Sequence, residues 1–295
     1  MGGGNWTSAS FTNYSASLGR DVMRSATTGR VVLDSCYDAQ DIFTSRGLNE
    51  ALNPRKAIRE CCDSEEHPNT IPVILALDVT GSMGKASAEV AKKLNEIMEQ
   101  LFEKVKDVEF MTMAIGDLAY DRAPIQASQF ESDIRIAEQL DKVYFEGGGG
   151  GNGFESYTAA WYFGLHNTKL DCHKRGKKGI IITMGDEPMN PYLPVKEMNR
   201  VLGSNAEADI GTANLYDEVI DKFDVYHLVV DDPESSASWY DDRIDNSWGK
   251  YLDKDHLIWV KLDNIAPTIC NIVEGLADGS NSGTVTLNEN QEISW

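Results

Sequence analysis

The chain has 295 residues, 41% of them hydrophobic and 9% aromatic, and carries a net charge of −20. That is enough apolar material for one large domain or two small ones, and the charge argues against nucleic acid or an anionic membrane as a direct partner, because repulsion would have to be overcome. Five cysteines without CxxC or zinc-ligand spacing, no run of membrane-spanning length and no signal-peptide pattern at the start lead to the expectation of a cytoplasmic protein with reduced thiols.

Residues 1–70 are polar and irregular, rich in Ser, Thr, Gly and Asn, with helical patterns around 15–25 and 39–52. They predict an arm that packs on the main domain or on another subunit. From residue 71 strands and helices alternate. Residues 73–79 are apolar throughout, as in a buried central strand of a parallel sheet. Residues 86–106 predict one amphipathic helix with Val90, Leu94, Ile97, Leu101 and Val105 on one stripe. A strand over 108–115, a short one over 124–130, a helix over 134–143 and a glycine run at 147–151 follow, and then a helical pattern over 155–166. Residues 178–184, 225–230 and 256–262 predict further strands, and 195–202, 213–223 and 267–277 predict helices. The acidic stretch 234–253 carries no assigned element, and a tail over 279–295 holds a short strand pattern at 284–287. The alternation predicts an α/β fold, a doubly wound and mostly parallel sheet flanked by helices over 71–278, with an irregular N-terminal arm and a short C-terminal tail.

In such sheets ligands lie in the crevice at the carboxyl ends of the strands. The apolar run Val73-Ile74-Leu75-Ala76-Leu77 stops at Asp78-Val79-Thr80-Gly81-Ser82, where a carboxylate and two hydroxyls on one turn supply the hard oxygens that Mg²⁺ or Mn²⁺ takes. The ordinary alternative is a strand-to-helix turn in which Thr80 or Ser82 caps the helix. Asp117, the glycine run that leads to Asn152 and Glu155, and Asp186 also fall at strand ends or in the loops just after them. Glu155 reads equally as a first-turn residue favoured by the helix dipole. The glycine run lacks the Gly-Lys-Ser/Thr and GxGxxG spacings of nucleotide loops.

Asp78, Thr80 and Ser82, with Gly81, Met83 and Gly84, resemble the metal-ion-dependent adhesion site of von Willebrand factor A (VWA) domains, whose first loop reads Asp-x-Ser-x-Ser. The order of elements from 71 to 277 is similar to that family's. The segments around Asn152-x-x-Glu155-Ser156-Tyr157 and Met184-Gly185-Asp186-Glu187-Pro188 also resemble intracellular bacterial and phage VWA proteins. The resemblance implies a non-enzymatic, metal-dependent interaction module acting in assembly of an intracellular complex. Its metal ligands would be Asp78, Thr80, Ser82, Glu155 and Asp186, with Asn152 and Asp117 as outer or alternative ligands. The cation would be Mg²⁺ or Mn²⁺, and the partner a protein offering Asp or Glu, an ATPase or another copy of this chain. Two departures stand out: the later loop has no Thr before Thr158, so Glu155 or Asn152 would substitute, and Asp186 arrives two positions after the family's usual Asp. Two alternatives remain open. One is an aspartyl-phosphate enzyme of haloacid-dehalogenase type, with Asp78 as nucleophile and Asp186 on Mg²⁺, against which Thr80 stands where that family's acid/base Asp would be. The other is a structural subunit whose metal site is degenerate.

Overall fold

The computed structural model describes residues 4–148, 153–233 and 235–277. Asn152, most of the glycine run, and the tail with the strand expected at 284–287 lie outside them. Six strands form the central sheet: β1 (Ile71–Asp78), β2 (Val108–Ile115), β3 (Ile125–Ala127), β4 (Gly179–Gly185), β5 (Phe223–Val230) and β6 (Leu257–Val260). Their order is β6-β5-β4-β1-β2-β3, parallel except for the antiparallel edge strand β3. This is the doubly wound α/β arrangement expected from the alternation, with β1 central and paired to β2 and β4.

Side chains of a strand alternate between faces, and β1 divides the core accordingly. Val73, Leu75 and Leu77 enter one apolar cluster, whereas Ile74 and Ala76 enter the other. The first face is covered by helices α3 (Gly84–Lys92), α4 (Leu94–Lys104), α5 (Arg135–Leu140) and α10 (Ile265–Ala277), the second by α6 (Thr158–His166), α7 (Val195–Leu202), α8 (Thr212–Val219) and α9 (Ala237–Trp248). Because both faces are covered, β1 is buried at every position after Ile71, which is why its sequence is a continuous apolar run.

Several boundaries differ from expectation. The single helix expected over 86–106 is interrupted at Lys93 (φ −91°, ψ 5°), although the bonds from Lys93 N to Glu89 O and from Ile97 N to Lys93 O, both 3.0 Å, carry the chain through the kink. The stripe Val90, Leu94, Ile97 and Leu101 is buried. The helix expected from residue 155 begins at Thr158, whose amide is capped by Asn190 Oδ1 at 3.1 Å from a separate loop; Glu155 instead forms an isolated bridge with Met189. Helix α9 lies in the acidic stretch that carried no assignment. It buries only Ala237, Ile244 and Trp248, too few to mark an apolar stripe.

The arm holds helix α1 (Ser8–Ser17), a hairpin of Val22–Arg24 with Val31–Leu33, and the short helix α2 (Ala39–Ile42) capped by Asp38, in place of the two longer helices expected. It contributes Trp6, Phe11, Leu33, Ile42 and Phe43 to the first apolar cluster. Trp6 Nε1 donates to Asn95 Oδ1 at 2.8 Å, and Arg20 pairs with Asp141 at 2.7 Å. At the amino ends of β1 and β2 the arm meets a chain of polar groups. Ser132 Oγ lies 3.1 Å from His67 Nε2, and His67 Nδ1 lies 3.3 Å from Asp107 Oδ1. The order hydroxyl–imidazole–carboxylate is that of acyl-transfer enzymes, yet Ser132 is fully buried and donates to the Gly4 carbonyl at 2.8 Å. The trio therefore clasps the start of the arm. Gly4 has φ +129°, and a Cβ there would stand 2.6 Å from Asp133 Oδ2.

Candidate metal centre

Asp78 ends β1 in register with Ile115 of β2, so its carboxylate emerges at the carboxyl edge of the sheet. The chain then turns sharply. Gly81 N donates to Gly148 O at 2.9 Å, and a Cβ on Gly81 would meet Gly147 O at 3.2 Å, so the close approach of the 147–148 backbone selects glycine there. Ser87 Oγ of α3 donates back to the Asp78 carbonyl at 3.0 Å and ties the helix to the strand.

The Asp78 carboxylate is fully buried and bonded at both oxygens. Oδ1 accepts from Thr80 N at 2.9 Å and Thr80 Oγ1 at 2.6 Å, and Oδ2 accepts from Tyr157 Oη at 2.7 Å. Burial, then the charge of Asp186, raise its pKa well above the usual carboxylate range despite these bonds. Asp186 follows β4 and is also fully buried. Its Oδ2 accepts from Ser236 N at 2.5 Å just ahead of α9, while its Oδ1 is buried without a hydrogen-bond partner. Burial raises its pKa too, and the Ser236 amide, then the Ser82 hydroxyl, offset part of that rise.

Glu155 is held at the site by its bridge to Met189, and the next residue's Ser156 Oγ accepts from Leu118 N at 3.0 Å. Its Oε2 is buried without a partner. Burial first, then the charges of Asp78, Glu187, Asp121 and Asp117, push its proton affinity far up. The structure thus groups Asp78, Thr80, Ser82, Glu155 and Asp186 at one edge. Asp117 lies near enough to act on Glu155, but its Oδ1 accepts from Ala119 N at 2.6 Å within its own turn. Asn152 falls outside the described residues. Glu187, raised by burial and the Asp186 charge to about 7, and Asp121, raised mainly by burial to about 6, were not among the site residues expected from the sequence. Tyr157 was likewise not among the site residues expected from the sequence. The Tyr157 phenol runs where a Cβ on Gly185 would stand, a proximity between distant segments that no local sequence pattern carries.

Among the described residues no three His, Cys, Asp or Glu side chains are arranged to hold a metal by themselves. The donor set fits a hard cation on other grounds. Its atoms are all oxygen, hydroxyls of Thr80 and Ser82 stand beside the carboxylates, and two carboxylate oxygens are buried and unpartnered. An uncompensated buried charged group costs several kcal/mol, and a divalent cation is the counter-charge that hard oxygens accept.

No protein-family model matches the sequence, and no curated protein matches it. The chain is similar to several solved structures. The pilus adhesin SpaC from Lactobacillus rhamnosus GG matches at TM-score 0.49 and 11% identity over 76% of this chain, which spans 32% of SpaC. The vWF domain of the type V pili tip protein Mfa5 from Porphyromonas gingivalis matches at TM-score 0.44 and 13% identity, covering 74% of this chain and 98% of that one. The SpRpn10 VWA domain matches at TM-score 0.41 and 12% identity, covering 69% and 95% of the two chains.

Proposed function

We propose that the chain is a VWA-type protein-interaction module whose carboxyl edge binds Mg²⁺ or Mn²⁺ through Asp78, Thr80, Ser82, Asp186 and Glu155, and through it a carboxylate of a protein partner. The observation that carries this reading is the pairing of buried, unpartnered oxygens on Asp186 and Glu155 with the hydroxyl-bearing Asp78 turn. A bound divalent cation would offset two of the three carboxylate charges and offer a coordination position to an incoming Asp or Glu. The chain's own residues fix the donors: Thr80 and Tyr157 orient Asp78, the amide of Ser236 orients Asp186, and the bridge to Met189 orients Glu155.

The rim supports docking of a protein. The exposed aromatics Tyr120, Tyr192 and Trp239 follow β2, β4 and β5 along the chain, in a turn, a short strand and the first turn of α9 respectively, and exposed aromatics are favoured anchors of protein interfaces. Arg243 Nη2 donates to Gly153 O at 3.1 Å and lowers the Glu187 pKa, adding a cationic group beside the acidic site. In this reading the site binds rather than turns over, and the partner can be a second copy of the chain or an ATPase.

Calorimetric titration of Mg²⁺ and Mn²⁺ into wild type and Asp78→Ala is the test. Binding in wild type that is lost in the variant supports the proposal, and no heat in either sinks it. Hydrolysis of a generic phosphate ester that disappears in Asp78→Asn would replace the binding role with phosphoryl transfer.

A further inference from the structure

The loop that reaches the site from α6 brings no free threonine hydroxyl. Thr158 is buried at the head of the helix, and its Oγ1 accepts from Asn190 Nδ2 at 2.6 Å. The hydroxyl that this segment does send to the site belongs to Tyr157. Its Oη donates to Asp78 Oδ2 at 2.7 Å and accepts from Glu187 N at 3.3 Å. The ring passes across Gly185, where any Cβ would collide with it, and is held edge-on to His227 (5.1 Å) and tilted against Trp248 (5.6 Å).

One phenol oxygen therefore touches both carboxylate-bearing loops, Asp78 after β1 and the 185–187 turn after β4. We infer that Tyr157 is a positioning residue of the metal site: its phenol fixes the Asp78 carboxylate and pins the 185–187 turn against it, so that Asp78 and Asp186 keep one spacing. This rests on the metal reading given above. With Oδ1 engaged by Thr80 and Oδ2 by Tyr157, the Asp78 carboxylate cannot rotate without breaking a buried hydrogen bond. Burial and the surrounding carboxylates keep the phenol protonated, so it acts as a donor to Asp78. Hydrogen bonds that orient metal ligands are commonly worth about 10- to 100-fold in metal affinity.

The test uses the full chain and Mn²⁺. Tyr157→Phe removes the oxygen and keeps the ring; Gly185→Ala keeps the oxygen and displaces the ring. Mn²⁺ Kd by calorimetry is expected to rise about tenfold or more in Tyr157→Phe, with faster hydrogen exchange at the Glu187 amide and an unchanged tryptophan near-UV circular dichroism signature. Gly185→Ala should weaken Mn²⁺ binding in the same direction. Wild-type Mn²⁺ affinity in Tyr157→Phe overturns the inference and leaves the metal reading standing, even where the variant's Tm has dropped. A wild type that binds no Mn²⁺ overturns both.

Discussion

Asp78, Glu155 and Asp186 bring three carboxyl groups into a space that excludes water, where burial disfavours their ionised forms. The raised proton affinities fix the sign of the pH dependence. A carboxylate whose folded pKa lies above its unfolded value, near 4, binds its proton more tightly in the folded state. Its stabilising contribution is complete below about pH 4 and is lost as pH rises through the folded value. Metal-free protein should therefore lose stability to urea between about pH 5 and pH 8, the window that also contains Glu187 at about 7 and Asp121 at about 6. Saturating Mg²⁺ should flatten or reverse that slope, because the cation competes with the protons. Stability that climbs steadily over this range in EDTA would contradict the account. Asp78→Asn removes one charge while its amide can still accept from Thr80 and donate to Tyr157. In EDTA we expect its Tm to match or exceed wild type by a few degrees, equivalent to about 1 kcal/mol, whereas the stabilisation by Mg²⁺ disappears.

Elements with both faces buried, or with one clean apolar stripe, were legible in the sequence, and those shaped by distant partners were not. The β1 and β2 runs and the α3–α4 stripe follow from local pattern because each buries its own side chains. The start of α6 depends on Asn190, more than thirty positions away along the chain, so no local signal moved the boundary from Glu155 to Thr158. The same limit applied to the site. Asp78, Thr80 and Ser82 were readable as one turn, whereas the role of Tyr157 depends on Gly185 of another strand. Strand spacing supplies a further expectation. Gly179 of β4 pairs with Phe223 of β5, and a Cβ at Gly179 would stand 2.7 Å and 2.8 Å from the buried Phe223 ring. Gly179→Ala should lower unfolding free energy by about 1–3 kcal/mol through overpacking, measured by urea denaturation, with little effect on Mn²⁺ affinity once folded.

At the scale of the whole molecule, the sheet separates two poles. The carboxyl edge carries the acidic site, and the amino edge carries the clasp in which Ser132 and His67 meet the Gly4 carbonyl. The arm runs between them, from Gly4 to Ala39, which lies within 3.7 Å of where a Cβ on Gly84 would stand, at the head of α3. Gly4→Ala places a methyl against Asp133 at a backbone angle that side chains rarely adopt, so the first residues of the arm should detach. Limited proteolysis should then cleave ahead of Trp6 at least several-fold faster than in wild type, while Mn²⁺ binding persists. Equal cleavage rates would show that the clasp does not hold the arm.

That clasp also decides how the molecule can be handled. Gly4 sits at the end of the sheet opposite the acidic edge. A sensor chip or bead coupled at that end would present Asp78 and its aromatic rim outward, towards the solution in which a partner is sought.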